Sequence, residues 1–275
     1  MNVQNPSRVA DLHALADGIE KAALADLHAA APEDLARRIG LQAFEAGGAL
    51  VSVVGGDPSI VLNRTSGLGV SAPVTADDVR RIRATYSAAG VGRHFVQVHP
   101  EAGLTGLARW LEEAGYRPQR RWMKFIRGRQ PIALPETALQ IREIGPEHAT
   151  DFGRIVAEGF DLSELGAELV GSLAGRRGWR LFMAFADDRP AATGALFVQG
   201  RTAWLDWGST TRAHRRKGAQ AALLARRVAV ALELGCEAMF TTTGEWVEGD
   251  PQHSYKNIQR TGFEELYLSC NYAPS

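Results

Sequence analysis

Cysteine is scarce, and so is lysine. Among 275 residues there are 2 Cys, and Cys236 and Cys270 stand far apart in no Cys-x-x-Cys frame. That excludes a disulfide scaffold or a cysteine zinc site as the organising principle and points to a reducing, cytoplasmic compartment. The 31 basic residues comprise 27 Arg and 4 Lys, an Arg-rich and Ala-rich usage that speaks of codon composition more than of a partner. Net charge is absent too, with 31 basic against 31 acidic residues. Split after Thr137, the halves hold 16 basic to 14 acidic and 15 to 17. Neither half attracts a polyanion by bulk field, and neither is an acidic tail. No run of ~18 apolar residues is present to span a membrane. The opening MNVQNPSRVADLHALADG takes on charge early and has no apolar centre, unlike a secretory signal. What is present is ordinary globular material, 45% hydrophobic and 23% charged, in a length with room for two domains.

The clearest boundary is Arg129-Gln-Pro-Ile-Ala-Leu-Pro-Glu136, whose prolines resist both helix and inner strand. A linker near 129–137 would part a domain at 1–130 from one at 138–275. In the second half the pattern predicts a strand at 139–144 and helices at 147–160 and 162–174. Strands at 180–186, 191–198 and 202–209 follow, joined by turns at Asp187–Pro190 and Gln199-Gly200. Then come a helix at 218–234 capped by Gly235, a strand at 237–243, a helix at 252–261 and a strand at 263–272. The first half is less regular. Residues 8–46 read as helical, Leu50–Val54 and Ile60–Asn63 as a hairpin, 75–89 and 102–114 as helices, and His94–Val98 and Tyr116–Arg127 as strands. Leu107–Tyr116 and Ser254–Phe263 both end a helix in Gly-aromatic before a strand. With the shared order of elements, this suggests two related α+β domains in tandem, each a mixed sheet flanked by helices.

Chemistry concentrates at Ser209-Thr-Thr-Arg-Ala-His-Arg-Arg-Lys-Gly-Ala-Gln220. Four of the six residues from Arg212 to Lys217 are basic, and Gly218 opens a long helix directly after them. A helix N-terminus offers unpaired N–H groups and partial positive charge, and glycine lets an anion approach the backbone. The spacing is neither a P-loop nor a dinucleotide-binding Gly-x-Gly-x-x-Gly. Arg215-Arg-Lys-Gly218-Ala-Gln220 resembles the pyrophosphate loop of the GNAT (N-acetyltransferase) superfamily, Arg/Gln-x-x-Gly-x-Gly/Ala, departing from it at Gln220. The strand before the loop, the helix after it and Asn257–Phe263 near the end extend the resemblance over roughly 139–273.

The resemblance implies an α+β fold of two GNAT-like domains, the second complete and the first a degenerate, CoA-free copy. It implies acetyl-CoA or another acyl-CoA as cosubstrate, with no metal. Backbone amides of Arg216, Lys217, Gly218, Ala219 and Gln220 would hold the pyrophosphate. Arg215, Arg216 and Lys217 would add charge, and Arg212 is equally a plain surface cation. Ser209, Thr210 and Thr211 would run beside the pantetheine arm, with Ser254 and Asn257 facing it from the last helix. The reaction would be direct attack by a small amine in a ternary complex.

Three residues are candidates for the acid–base work. Asp206, in an apolar strand between Trp204 and Trp207, is a general base or a hydrogen-bonded structural carboxylate. Glu245, just past a strand, is a base or an exposed loop acid. The family's usual acid, a Tyr four residues before the Gly of the last helix, is Ile258 here. Either Tyr255 one turn earlier substitutes, or solvent protonates the thiolate, or turnover has been lost and the domain is a CoA-binding sensor. His253 is a further base candidate, and His214 a surface residue or phosphate contact. Glu245, Glu248 and Asp250 in the loop 244–252 would suit a cationic acceptor. The expected partners are an acyl-CoA and a small amine, with no nucleic acid and no membrane, and a homodimer is left open.

Overall fold

The computed structural model describes residues 6–100, 102 and 106–275, with side chains from residue 9 onward. The chain forms two compact units, Met1–Lys124 with Tyr267–Ser275, and Phe125–Leu266.

In the first unit, α1 (Pro6–Ala30) and α2 (Glu33–Ile39) are parted by Pro32, and α2 ends on Gly40 in the left-handed conformation. The stretch 8–46, expected to be helical throughout, therefore ends in a strand, β1 (Leu41–Ala46), antiparallel to β2 (Ala49–Val54). The hairpin partner of 50–54 is thus β1, and Ile60–Asn63 is a turn before β3 (Arg64–Leu68). Asn63 is buried in that turn, accepting from Val54 N (2.7 Å) and donating to Asp57 O (2.7 Å). A side chain this fully paired organises a loop rather than a strand.

α3 (Ala76–Ala88) starts from a capping box between Thr75 and Asp78. β4 (Phe95–Val98), α4 (Leu107–Glu113) and β5 (Tyr116–Arg127) follow. Residues 103–105 of the helix expected at 102–114 lie outside the described residues. One face of this sheet packs Val51, Val53, Leu68 and Val96 against Ile82 and Tyr86 of α3 and Leu111 of α4. Each such side chain contributes ~1.5–3 kcal/mol on burial.

α1 also buries a polar stripe, His13, Asp17 and Glu20, at helical spacing. Asp17 accepts from Tyr267 Oη (2.6 Å). Glu20 pairs with Lys124 and Arg64, and His13 Nδ1 lies 3.0 Å from His99 Nε2. Burial outweighs the nearby Lys124 charge and pushes the Asp17 carboxyl up to about 6.

In the second unit, β6 (Gln140–Ile144) leads through a single 3-10 turn to α5 (Ala149–Phe160) and α6 (Glu164–Gly171). These helices touch backbone to backbone: a Cβ on Gly153 would overlap the Ala167 carbonyl, and one on Gly171 would lie 2.8 Å from Ala149 O. β7 (Trp179–Ala186), β8 (Arg189–Gln199) and β9 (Thr202–Thr210) form an antiparallel meander with β6. α7 (Ala219–Glu233) then crosses over to β10 (Ala238–Gly244), which pairs parallel to β9. α8 (His253–Arg260) precedes β11 (Glu264–Pro274). The strand order is β10-β9-β8-β7-β6. From Tyr267 onward, β11 belongs to the first unit, where Cys270, Asn271 and Tyr272 pair antiparallel with Val98, Gln97 and Val96. Residues 128–139, around the expected linker, form neither helix nor strand.

Candidate functional site

The site begins with a break in strand register. β8 and β9 pair Thr193 with Ser209 and then Ala195 with Asp206, so Trp207 and Gly208 together oppose Gly194 alone. This is a β-bulge, with Trp207 left-handed at φ 51°. Its backbone is braced from several directions. Thr193 Oγ1 donates to Trp207 O (3.0 Å). The Asp206 carboxylate accepts from Trp207 N (2.8 Å) and Trp204 Nε1 (3.0 Å). From α7, Arg227 donates to Asp206 O (2.9 Å) and Ala195 O (3.1 Å). The guanidinium has room only because residue 194 is glycine; a Cβ there would lie 2.8 Å from Arg227 Cζ. Burial lowers the Arg227 pKa to about 10, although the Asp206 charge pulls it upward.

Beyond the bulge, Gly208, Ser209 and Thr210 line a cavity of about 710 Å³. The opposite wall is the loop into α7. Arg216 (φ 65°) and Gly218 (φ 79°) are left-handed and Lys217 between them is not, a concave backbone of the kind that collects anions. A Cβ built on Gly218 meets no atom within 4 Å, so the space above this backbone is open. No side chain caps α7 and no acidic residue stands in its first turn, which leaves its leading N–H groups and dipole directed at that space. His214, Arg215, Arg216, His253 and Arg260 also line the cavity, and no carboxylate does among the described residues.

α8 closes the third side with His253, Ser254, Asn257 and Arg260. Gln220 links it to α7: its Nε2 donates to Ser254 Oγ (3.1 Å), and Asn257 Nδ2 donates to its Oε1 (2.8 Å). On the fourth side, Gly159 near the end of α5 lies so close to β9 that a Cβ would overlap Ser209 Oγ. Ser209 Oγ donates to Ile155 O (2.8 Å).

Of the expected acyl-CoA residues, Ser209, Thr210, Arg215, Arg216, Gly218, Ala219, Gln220, Ser254 and Asn257 come together around this cavity. Thr211 and Lys217 do not line it. Thr211 Oγ1 instead lies 2.9 Å from His214 Nδ1, and Lys217 is exposed. None of the three catalytic candidates is on the lining. Both Asp206 oxygens are engaged in the bulge. Glu245 follows β10 directly and is half-buried. Tyr255 is buried on the other face of α8, edge-on to Phe125 (4.9 Å) and Trp246 (5.7 Å). Burial and the adjacent Glu265 push its hydroxyl pKa well up. Sequence reasoning missed Gly159, Gly208 and Arg260. Only a positive residue on the pocket face of α8 could have signalled the last.

Residues 161–256, spanning α6 to the first turn of α8, match the family model described as an acetyltransferase (GNAT) domain. Within that segment the chain carries a GNAT acetyltransferase domain. Solved structures agree at the level of fold. A GCN5-related N-acetyltransferase from Kribbella flavida is 17% identical with a TM-score of 0.62, covering 85% of this chain and 89% of its own. A GNAT-family acetyltransferase from Colwellia psychrerythraea is 16% identical with a TM-score of 0.53, covering 85% and 84%. A tandem GNAT protein from the clavulanic acid biosynthesis pathway is 14% identical with a TM-score of 0.55, covering 83% and 79%. No curated protein matches the chain in sequence. A GNAT acetyltransferase domain implies acetyl-CoA as cosubstrate. The open, uncapped and carboxylate-free head of α7 is chemically suited to its diphosphate. Among the described residues no group of three or more His, Cys, Asp or Glu could hold a metal ion. No helix among them is long and apolar enough to cross a membrane.

Proposed function

We propose that this GNAT protein is an acyl-CoA-dependent N-acyltransferase that moves an acetyl group from acetyl-CoA to a small amine by direct attack in a ternary complex. The observation that carries the reading is the head of α7, an uncapped helix start behind a left-handed glycine with open space above it and arginines at its rim. There the backbone of Arg216–Gln220, with Arg215 and Arg216, would hold the diphosphate. Lys217 would supply long-range charge from the solvent side. The tail of β9, Ser209–Thr211, would run beside the pantetheine arm, and a backbone N–H past the bulge would polarise the thioester carbonyl.

In the reaction the amine nitrogen bonds to the carbonyl carbon, the C–S bond breaks, and the amine loses a proton while the thiolate gains one. Asp206 is already spent on the Trp204 and Trp207 N–H groups, which supports a structural role. Glu245, at the end of β10, is the base we assign, acting through water. Tyr255 is turned into an aromatic cluster, so the thiolate takes its proton from solvent. The acidic loop residues Glu245, Glu248 and Asp250 favour a cationic acceptor.

The first unit we read as a degenerate, CoA-free copy, with sequence extents 1–130 and 138–275 for the pair. The first half runs helix, helix, three strands, helix, strand, helix, strand, and after its leading strand β6 the second half repeats that order. In both, the third of those strands pairs antiparallel with the second and parallel with the fourth. The similarity to a tandem GNAT structure supports the same reading.

A second reading, an acyl-CoA sensor without turnover, is favoured by the absence of Asp206, Glu245 and Tyr255 from the cavity lining. One experiment separates the two: thermal shift and thiol release with acetyl-CoA across a panel of amines. Wild type is expected to be stabilised by acetyl-CoA, by ~2.7 kcal/mol at a hundredfold excess over Kd, and to release thiol with at least one amine. Stabilisation without release across the panel selects the sensor. Gly218→Ala should fold, losing ~1–2 kcal/mol to left-handed strain, and lose the acetyl-CoA response. A Gly218→Ala protein that binds like wild type overturns both readings.

A further inference from the structure

The family loop asks for a small residue where this chain has Gln220, and the side chain there is fully employed. Its amide faces α8, receiving a hydrogen bond from Asn257 Nδ2 (2.8 Å) and giving one to Ser254 Oγ (3.1 Å). These bonds fix the direction of both partners. Ser254 Oγ is used as an acceptor, so its own O–H is free to donate. One Asn257 N–H is used, and its Oδ1 remains an acceptor. Neither the Ser254 O–H nor Asn257 Oδ1 has another partner among the described residues, and both side chains line the cavity. A donor beside an acceptor on one helix face complements a secondary amide, whose C=O accepts and whose N–H donates.

We propose that Gln220 is a positioning residue. It ties the first turn of α7 to α8 and orients Ser254 and Asn257 to receive an amide of the cosubstrate's pantetheine arm. The inference rests on the acyl-CoA reading of the cavity. In the fold, the clamp also explains why a larger residue is compatible with the loop: the side chain leaves the anion cradle and closes its neighbouring wall.

The test is a binding cycle measured by calorimetry with acetyl-CoA on the full chain. Gln220→Met keeps the length of the side chain and removes both hydrogen bonds. It is expected to weaken binding about tenfold, corresponding to ~1.4 kcal/mol, with unchanged thermal stability of the free protein to within a few degrees. Ser254→Ala is expected to weaken binding by a similar factor. The double variant should lose less than the product of the two single losses, because Gln220 acts in part through Ser254. Gln220→Asn, too short to span the helices, should resemble Gln220→Met. Binding by Gln220→Met within twofold of wild type, or losses that multiply in the double variant, overturns the proposal. A wild-type protein that does not bind acetyl-CoA overturns the reading of the cavity and this inference with it.

Discussion

Gly159→Ala tests the closest approach at the site. Helix propensity alone makes the substitution favourable by ~0.5–1 kcal/mol. The structure reverses the sign. The new methyl would overlap Ser209 Oγ and stand 3.0 Å from Ser209 Cβ, so β9 or the Ser209 side chain has to move. Overpacking of this kind costs ~1–3 kcal/mol. Expelling the hydroxyl also breaks its bond to Ile155 O, worth ~1 kcal/mol. The expected net loss is ~1–3 kcal/mol. Ser209→Ala alone should cost ~1 kcal/mol through the same hydrogen bond. In the double variant the overlap with Oγ is gone and the bond is lost only once. Its stability should therefore exceed the additive expectation by ~1–3 kcal/mol, beyond the ~0.5 kcal/mol scatter of independent sites. Urea unfolding of the four proteins measures this directly, with an unchanged denaturant slope as the check that only stability has altered. Additive losses would refute the claim that Gly159 is required by Ser209. Because both residues line the cavity, Gly159→Ala should also weaken acetyl-CoA binding.

Three further outcomes are expected. Arg227→Met removes both Nη1 hydrogen bonds, to Ala195 O and Asp206 O, so it should lose ~1–3 kcal/mol and weaken acetyl-CoA binding; retention of both in denaturation and calorimetry counts against the braced bulge. Asp17 holds its proton up to about pH 6 in the folded state against 3.8 as the ordinary value, so stability falls as pH rises between these values. Asp17→Asn should then be neutral at pH 3.5 and stabilising by up to ~3 kcal/mol at pH 8, and a pH-independent difference in unfolding free energy excludes the assignment. His28 and His94 are both pushed down to about 4 by burial. The unfolded chain binds their protons first, so stability falls as pH drops from 6.5 through 4, by up to ~3 kcal/mol for each. His94→Gln should flatten that acid limb in thermal melts, and an unaltered limb would exclude His94 as a source.

The order of elements in the second unit was legible because its strands are apolar runs between strong turn residues, and α7 is bracketed by Gly218 and Gly235. The cradle was legible for the same reason: glycine after a basic run before a helix has few other physical meanings. The bulge was hidden, because it requires tryptophan in a left-handed conformation, which no propensity suggests. Without it, Asp206 reads as an unexplained carboxylate in an apolar strand. With it, the carboxylate is the acceptor for the Trp207 N–H. In the first unit, Leu41–Ala46 is composed of residues compatible with helix, and only pairing across Gly47-Gly48 makes it a strand. The polar stripe on α1 carries no local signal, since its partners Tyr267 and Lys124 come from distant strands. Gln220 read as a departure from a motif, and its two partners on α8 turn the departure into a link.

β11 carries a consequence for how this protein is made. Its residues Cys270–Tyr272 are the antiparallel partners of Val96–Val98, separated by on the order of 170 residues of chain, a costly loop to close. During synthesis the sheet of the first unit cannot be completed until those residues leave the ribosome, by which time most of the second unit has already emerged. The half made first is finished last, and β4 stays an open edge in the interval. A fragment cut at the 129–137 linker would carry that open edge permanently, so excising either half there should yield an aggregation-prone first half rather than an independent domain.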